Sequence, residues 1–188
     1  AHQPSRTPAE RNRRSIYVYR VRGQANPLLA IMDLPGPNAS CERREDAATA
    51  PQAFTLMNSD GMTDRSIAFA LRVQKEKPGD PAQWVRRAVQ LAYGRVPQRE
   101  EQQELLAYLV EMQAYHRRHQ PRVIEYPKQV VRSLVEEFTG EPFDFVEKLN
   151  VYDDYVPDAK PWTVTADVRA LADVCLVLLN SNEFMYVY

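Results

Sequence analysis

The polar residues best placed to act together are arginines and side-chain amides. Arg13, Arg14, Arg43 and Arg44 crowd the N-terminal quarter of the chain, and Gln52 and Asn58 follow shortly after. A guanidinium offers a planar fork of donors that fits a carboxylate, sulfate or phosphate through two parallel bonds. Such a set reads either as an anion-recognition site or as internal salt bridging. Asp33 and the acidic C-terminal third supply internal partners, and the internal use is the stronger expectation. His116 and His119 stand three residues apart with Glu111 nearby, a spacing that can grip a divalent metal. A closed site needs three or four ligands, and Arg117 and Arg118 lie between the two histidines, so a solvated helix end is expected instead of a metal centre. Asp153, Asp154 and Asp158 lack the spaced ligands, glycine and closing glutamate of a calcium loop and read as an exposed acidic stretch.

Covalent chemistry finds little footing. Gly-x-Ser-x-Gly is absent, and neither Cys41 nor Cys175 has a histidine beside it in sequence. Cys175 falls on an apolar stripe and reads as a small hydrophobe. Six glycines form no phosphate-cradling loop, and two distant cysteines cannot make a Cys-x-x-Cys-His haem attachment. No catalytic residue, metal or cofactor is expected in this chain. A Cys41–Cys175 disulfide is the less favoured state, because one cysteine lies in a loop and the other on a core-facing helix.

Composition narrows the class further. The chain has 188 residues with 44% hydrophobic and 26% charged, enough for one domain with a real core. Net charge is −1, so no global field favours nucleic acid, although Arg11 to Arg14 followed by Tyr17 and Tyr19 forms one basic-aromatic cluster. No apolar run approaches the roughly 20 residues of a spanning helix, so membrane insertion is not expected. Charge is uneven: residues 1–22 hold six arginines against Glu10, and residues 136–188 hold eleven acids against three basic residues.

The elements that must position these groups are mostly helices. Residues 1–12 read as a flexible arm with Pro4 and Pro8, and 13–188 as a single helical domain, the C-terminal piece of a longer protein. Ser15 to Val21 alternates β-branched and aromatic residues and predicts one short extended segment or strand. Pro27 to Leu34 predicts a short helix ended by Pro35-Gly36-Pro37. Thr49 and Gln52 have the form of a capping box for a helix that stops at Asn58. Further helices are expected over 63–73, from Pro81 to Gly94, over 98–118, over 128–138 and over 142–149. The last helix, 166–180 behind Thr165, carries Val168, Leu171, Ala172, Cys175, Leu178 and Leu179 as the best apolar face in the chain. Asn180, Asn182 and Glu183 are candidates for a structural turn that returns Phe184 and Tyr186 to the core. The fold class is therefore mostly α, an irregular helical domain.

Several strings, in order, resemble one family. They are Arg13-Arg14-Ser15-Ile16-Tyr17, Pro27-Leu28-Leu29 before Asp33, Ser40-Cys41 before Arg43-Arg44, and Ala50-Pro51-Gln52-Ala53 before Leu56-Met57-Asn58-Ser59. Ala92-Tyr93-Gly94-Arg95 follows, and then Leu171 to Cys175 through Leu179-Asn180-Ser181-Asn182-Glu183-Phe184. The pattern resembles the C-terminal half of the planctomycete-type domain of unknown function 1553. That resemblance implies a domain that closes large periplasmic or secreted proteins, which often begin with a cytochrome-c-like domain. It implies no agreed activity. The leading expectation is a non-catalytic helical module that docks on upstream domains of its own polypeptide or on a partner. The alternatives are half of an enzyme or binding module for anionic (sulfated) polysaccharide, and an accessory to a haem-c electron-transfer domain.

Overall fold

The computed structural model describes residues 5–17, 27–35, 49–125, 127–150 and 153–186. Within them the protein is mostly α, with one small antiparallel sheet. The chain forms two compact units: residues 1–21 with 123–157, and residues 22–122 with 158–188.

The larger unit is helical. It contains α2 (Pro27–Ile31), α3 (Ala50–Asn58), α4 (Asp60–Glu76), α5 (Pro81–Tyr93), α6 (Arg99–Arg118), α7 (Ala166–Leu179) and α8 (Asn182–Met185), after a one-turn α1 (Pro8–Arg11) that belongs to the other unit. Short-range chemistry sets most of these boundaries. The Asp80 carboxylate accepts from the Ala82 and Gln83 amides, and Gly94 ends α5 with a left-handed φ of 72°. The Thr165 hydroxyl accepts from Val168 N at the start of α7. Ser59 both ends α3 and caps α4, so α4 starts three residues earlier than the apolar spacing predicts.

Helix α7 is the central element of this unit and packs against α4, α5 and α6. Ala170, Leu171, Val174 and Cys175 are fully buried, and Val168, Ala172 and Leu178 nearly so. Ile67, Ala70 and Val73 of α4, Trp84, Val85, Ala88 and Val89 of α5, and Leu109 of α6 complete the core. Leu179, expected on the same stripe, is only partly buried. The Trp84 indole donates to Lys77 O at 2.6 Å, which fastens the α4–α5 turn to α5.

The smaller unit differs from the sequence reading. Residues expected to be helical over 128–138 and 142–149 form a β-hairpin, β1 (Gln129–Val135) and β2 (Pro142–Lys148), with Val131 opposite Val146 and Leu134 opposite Phe143. The physical cause lies in the side chains. Val130, Val131 and Val135 are β-branched, Phe143 and Phe145 alternate, and Gly140 takes φ 74° in the connecting turn. Ser15–Tyr17, expected to open a strand, form a 3₁₀ turn closed by Tyr17 N donating to Arg14 O. The remainder of that expected strand, 18–21, lies outside the described residues, as does Cys41.

Residues 8–11, within the expected arm, form α1 under a Thr7–Glu10 capping box. The Arg11 guanidinium donates to Ser5 O and Val156 O and lies over the Tyr155 ring, 4.6 Å from its centroid. Val156 N in turn donates to Arg6 O.

Candidate functional site

The residues singled out in the sequence fall into three groups. Arg13 and Arg14 are exposed and belong to the smaller unit. Gln52 and Asn58 belong to the helical unit, and Arg43 and Arg44 lie outside the described residues.

Gln52 is a joint. It is 8% exposed, and its amide nitrogen donates to Asp33 Oδ2 at 2.6 Å and to Ile31 O at 3.1 Å. Its amide oxygen accepts from Thr49 N at 3.0 Å. One side chain thus starts α3 and ties it to the end of α2, where Asp33 adopts φ 55°. A buried amide is stable only when both ends are bonded, and here both are. Asn58 is exposed and donates to Phe54 O within its own helix, a local C-terminal role.

The closing string meets the α5–α6 connection. Tyr93 Oη donates to Ser181 Oγ at 2.8 Å, and Ser181 Oγ donates onward to Leu178 O while accepting from Phe184 N. Burial raises the Tyr93 phenol, which stays neutral and able to donate. Arg95 bonds two carboxylates, each through two nitrogens: Glu183 at 2.7 Å and Glu101 at 2.8 and 2.9 Å. These bonds hold Glu183 and Glu101 below the usual carboxylate range. Asn180 Nδ2 donates to Leu176 O and, at 3.3 Å, to Leu56 O on α3. Asn182 opens α8 and is exposed. The string does not carry its aromatics inward, contrary to the sequence expectation: Phe184 and Tyr186 are 43% and 55% exposed, because Ser181 starts a new helical turn at the surface.

Three polar pairs escaped the sequence reading because their members are far apart in the chain. His116 Nε2 lies 2.6 Å from Asp173 Oδ2 and joins α6 to α7. Burial raises the Asp173 carboxyl and the imidazole opposes that rise. His119, the other histidine considered for a metal, bonds Tyr115 O and stacks on the Tyr115 ring. Lys160 Nζ lies 2.7 and 2.8 Å from the two Asp64 oxygens, next to an Arg65–Asp158 pair. Arg169, 6% exposed, donates to Pro161 O, Val164 O and His116 O. His116 O is one of the carbonyls that the end of α6 leaves without an intrahelical partner, so Arg169 caps α6 from α7.

The chemistry these groups support is fastening. Cys175 is fully buried and burial pushes its thiol well up, so it presents no thiolate near neutrality. His116 and Asp173 make an imidazole–carboxylate pair, and each is partly withdrawn from solvent between two packed helices. Among the described residues, no group of three or more His, Cys, Asp or Glu side chains is placed to share a metal ion. No helix among them is long and apolar enough to cross a membrane.

A helical unit fastened by buried amide and carboxylate bonds defines the class of domain, and comparison with known families supplies the rest. The chain belongs to the family PSD1, protein of unknown function (DUF1553), whose model matches residues 1–109. No curated protein and no solved structure matches it. The family match includes Gln52, Tyr93 and Arg95 and ends before the closing string that Tyr93 and Arg95 hold.

Proposed function

We propose that the chain is a non-catalytic helical module of an extracytoplasmic multidomain protein and docks on upstream domains of the same polypeptide. One observation carries the reading. Polar side chains fasten one element to another: Gln52 to Asp33, Tyr93 to Ser181, Arg95 to Glu183 and Asn180 to Leu56 O, with Gln52, Tyr93 and Arg95 inside the family match. Side chains tied down in this way build a rigid scaffold and are not arranged around a substrate. The same scaffold holds apolar side chains outward. Phe54 and Met57, one turn apart on α3, are 69% and 59% exposed. Large exposed apolar groups set side by side mark contact surfaces.

The test uses the upstream domains expressed separately and titrated with this chain by calorimetry. Saturable binding, weakened at least about tenfold by Phe54→Ser with Met57→Ser, supports the reading; about 1.4 kcal/mol corresponds to that factor. Absence of binding, or turnover by the chain alone in a broad hydrolase and oxidoreductase screen, overturns it. Binding of a sulfated glycan that is lost with Arg13→Ala and Arg14→Ala transfers the assignment to the anionic polysaccharide alternative.

A further inference from the structure

Among the described residues, the hairpin has one guarded edge and one open edge. Glu136 N donates to Glu141 O at 2.9 Å and Leu149 N to Lys128 O at 2.8 Å. With the observed register, the even-numbered residues of β1 therefore bond toward β2. Gln129, Val131, Ser133 and Val135 then direct their amide and carbonyl groups away from β2. The corresponding outward residues of β2 are Pro142, Asp144, Val146 and Lys148. A proline and two charges on an edge are the usual guards against strand addition. The outward residues of β1 include neither, and among the described residues β1 pairs only with β2. Val131 and Val135 are 69% and 63% exposed.

We propose that this open edge pairs with the same edge of a second copy of the chain. The two β1 strands run antiparallel about a two-fold axis, and the two hairpins form one four-stranded sheet. This concerns the hairpin unit alone and does not rest on docking by the helical unit. A two-stranded hairpin exposed on both faces is marginal in water, and adding strands is what makes it stable. Charge selects a second copy as the occupant. Lys128 immediately precedes β1, and Glu136 and Glu137 immediately follow it. Antiparallel self-pairing sets the basic end of one strand on the acidic end of the other, whereas parallel pairing sets like on like.

Charge also selects the register. Full overlap of the two strands places Arg132 opposite the partner's Arg132. Sliding by one two-residue step removes that clash and centres the pair on Ser133. Val131 then faces the partner's Val135, and Lys128 lies diagonal to the partner's Glu136. On that face Val131 and Val146 of one hairpin continue into the partner's Val135, an apolar stripe of the kind that fixes sheet register.

The experiment is sedimentation equilibrium of the full chain over a dilution series, with amide hydrogen exchange read at Val131, Ser133 and Val135. The expected result is a species of twice the 21.7 kDa monomer mass that dissociates on dilution, together with slowed exchange at those three amides in the dimer. Val131→Lys with Val135→Lys brings like charges face to face across the axis and yields monomer at every concentration. Val131→Lys with Val135→Glu carries the same number of introduced charges but opposes unlike signs, and it restores the dimer. A wild-type chain that stays monomeric with fast exchange overturns the proposal, including the case in which a different protein occupies the edge. Two double variants that behave alike overturn it as well.

Discussion

Removing Lys160 tests how the helical unit tolerates a charge without its partner. Its ammonium meets both Asp64 oxygens, and the two side chains are only 15% and 11% exposed. In Lys160→Met the aliphatic stem is kept and the charge is lost, so Asp64 keeps its burial without its counter-ion. Breaking one side of a buried pair costs about 3–5 kcal/mol, and the residual exposure places this pair near 3. That is a large part of the 5–15 kcal/mol that holds an ordinary domain together. Burial already raises the Asp64 carboxyl, against the hydrogen bond and charge of Lys160. A carboxyl whose folded pKa is raised contributes most stability below its unfolded value and loses that contribution as pH rises through the folded one. The Lys160→Met deficit is therefore smallest in acid and grows as pH rises above the ordinary aspartate range. Urea unfolding followed by Trp84 and Trp162 fluorescence reads the helical unit alone, since both tryptophans belong to it. Adding Asp64→Leu removes the stranded charge and returns most of the loss. A deficit under about 1 kcal/mol, a deficit that shrinks toward neutral pH, or strict additivity in the double variant refutes the reasoning.

Three further outcomes follow from the same structure. Leu171→Ala, at a wholly buried position on α7, loses about 2–5 kcal/mol in urea unfolding as the packed core retains a cavity. Gly94→Ala loses about 1 kcal/mol by thermal unfolding: nothing lies within 4 Å of the added Cβ, so the cost is the left-handed backbone alone. In the Cys41→Ser chain, Cys175 reacts with a thiol reagent far more slowly in buffer than in urea, because burial both covers the sulfur and raises its thiol; equal rates contradict its place in the core.

The sequence was legible wherever structure is decided within a few residues. Thr49 with Gln52, Asp80 with Gly94, and Thr165 mark real helix ends because capping bonds span three or four positions. The apolar stripe of α7 was legible because one helical period repeats over 14 residues. The hairpin was not, since Val130, Val131, Leu134 and Val135 also fit a helical spacing, and the pairing that decides the matter lies across the turn. Phe184 and Tyr186 were misplaced for a related reason. Ser181 caps a new helical turn, and that local bond sets their direction more strongly than their hydrophobicity does. The site itself was legible only as residue types. Gln52 was singled out, but its partner Asp33 is 19 residues back; Glu183 was singled out, but Arg95 is 88 residues away. His116 was weighed with the wrong neighbours, because Asp173 enters from another helix.

The central claim, that Tyr93 and Arg95 inside the family match fasten the scaffold, is tested most directly at the closing string they hold. Ending the chain at Asn180 removes Ser181 and Glu183, and with them the bonds to Tyr93 and Arg95, while leaving the α7 core residues in place. The measurement is thermal unfolding by circular dichroism, with upstream-domain binding determined on the same sample. The account predicts a melting temperature lower by several degrees, as a loss of about 1–2 kcal/mol brings in a domain of this size, together with faster amide exchange over α5. A truncated chain that melts at the wild-type temperature but no longer binds contradicts it, because the string then serves a ligand and not the fold.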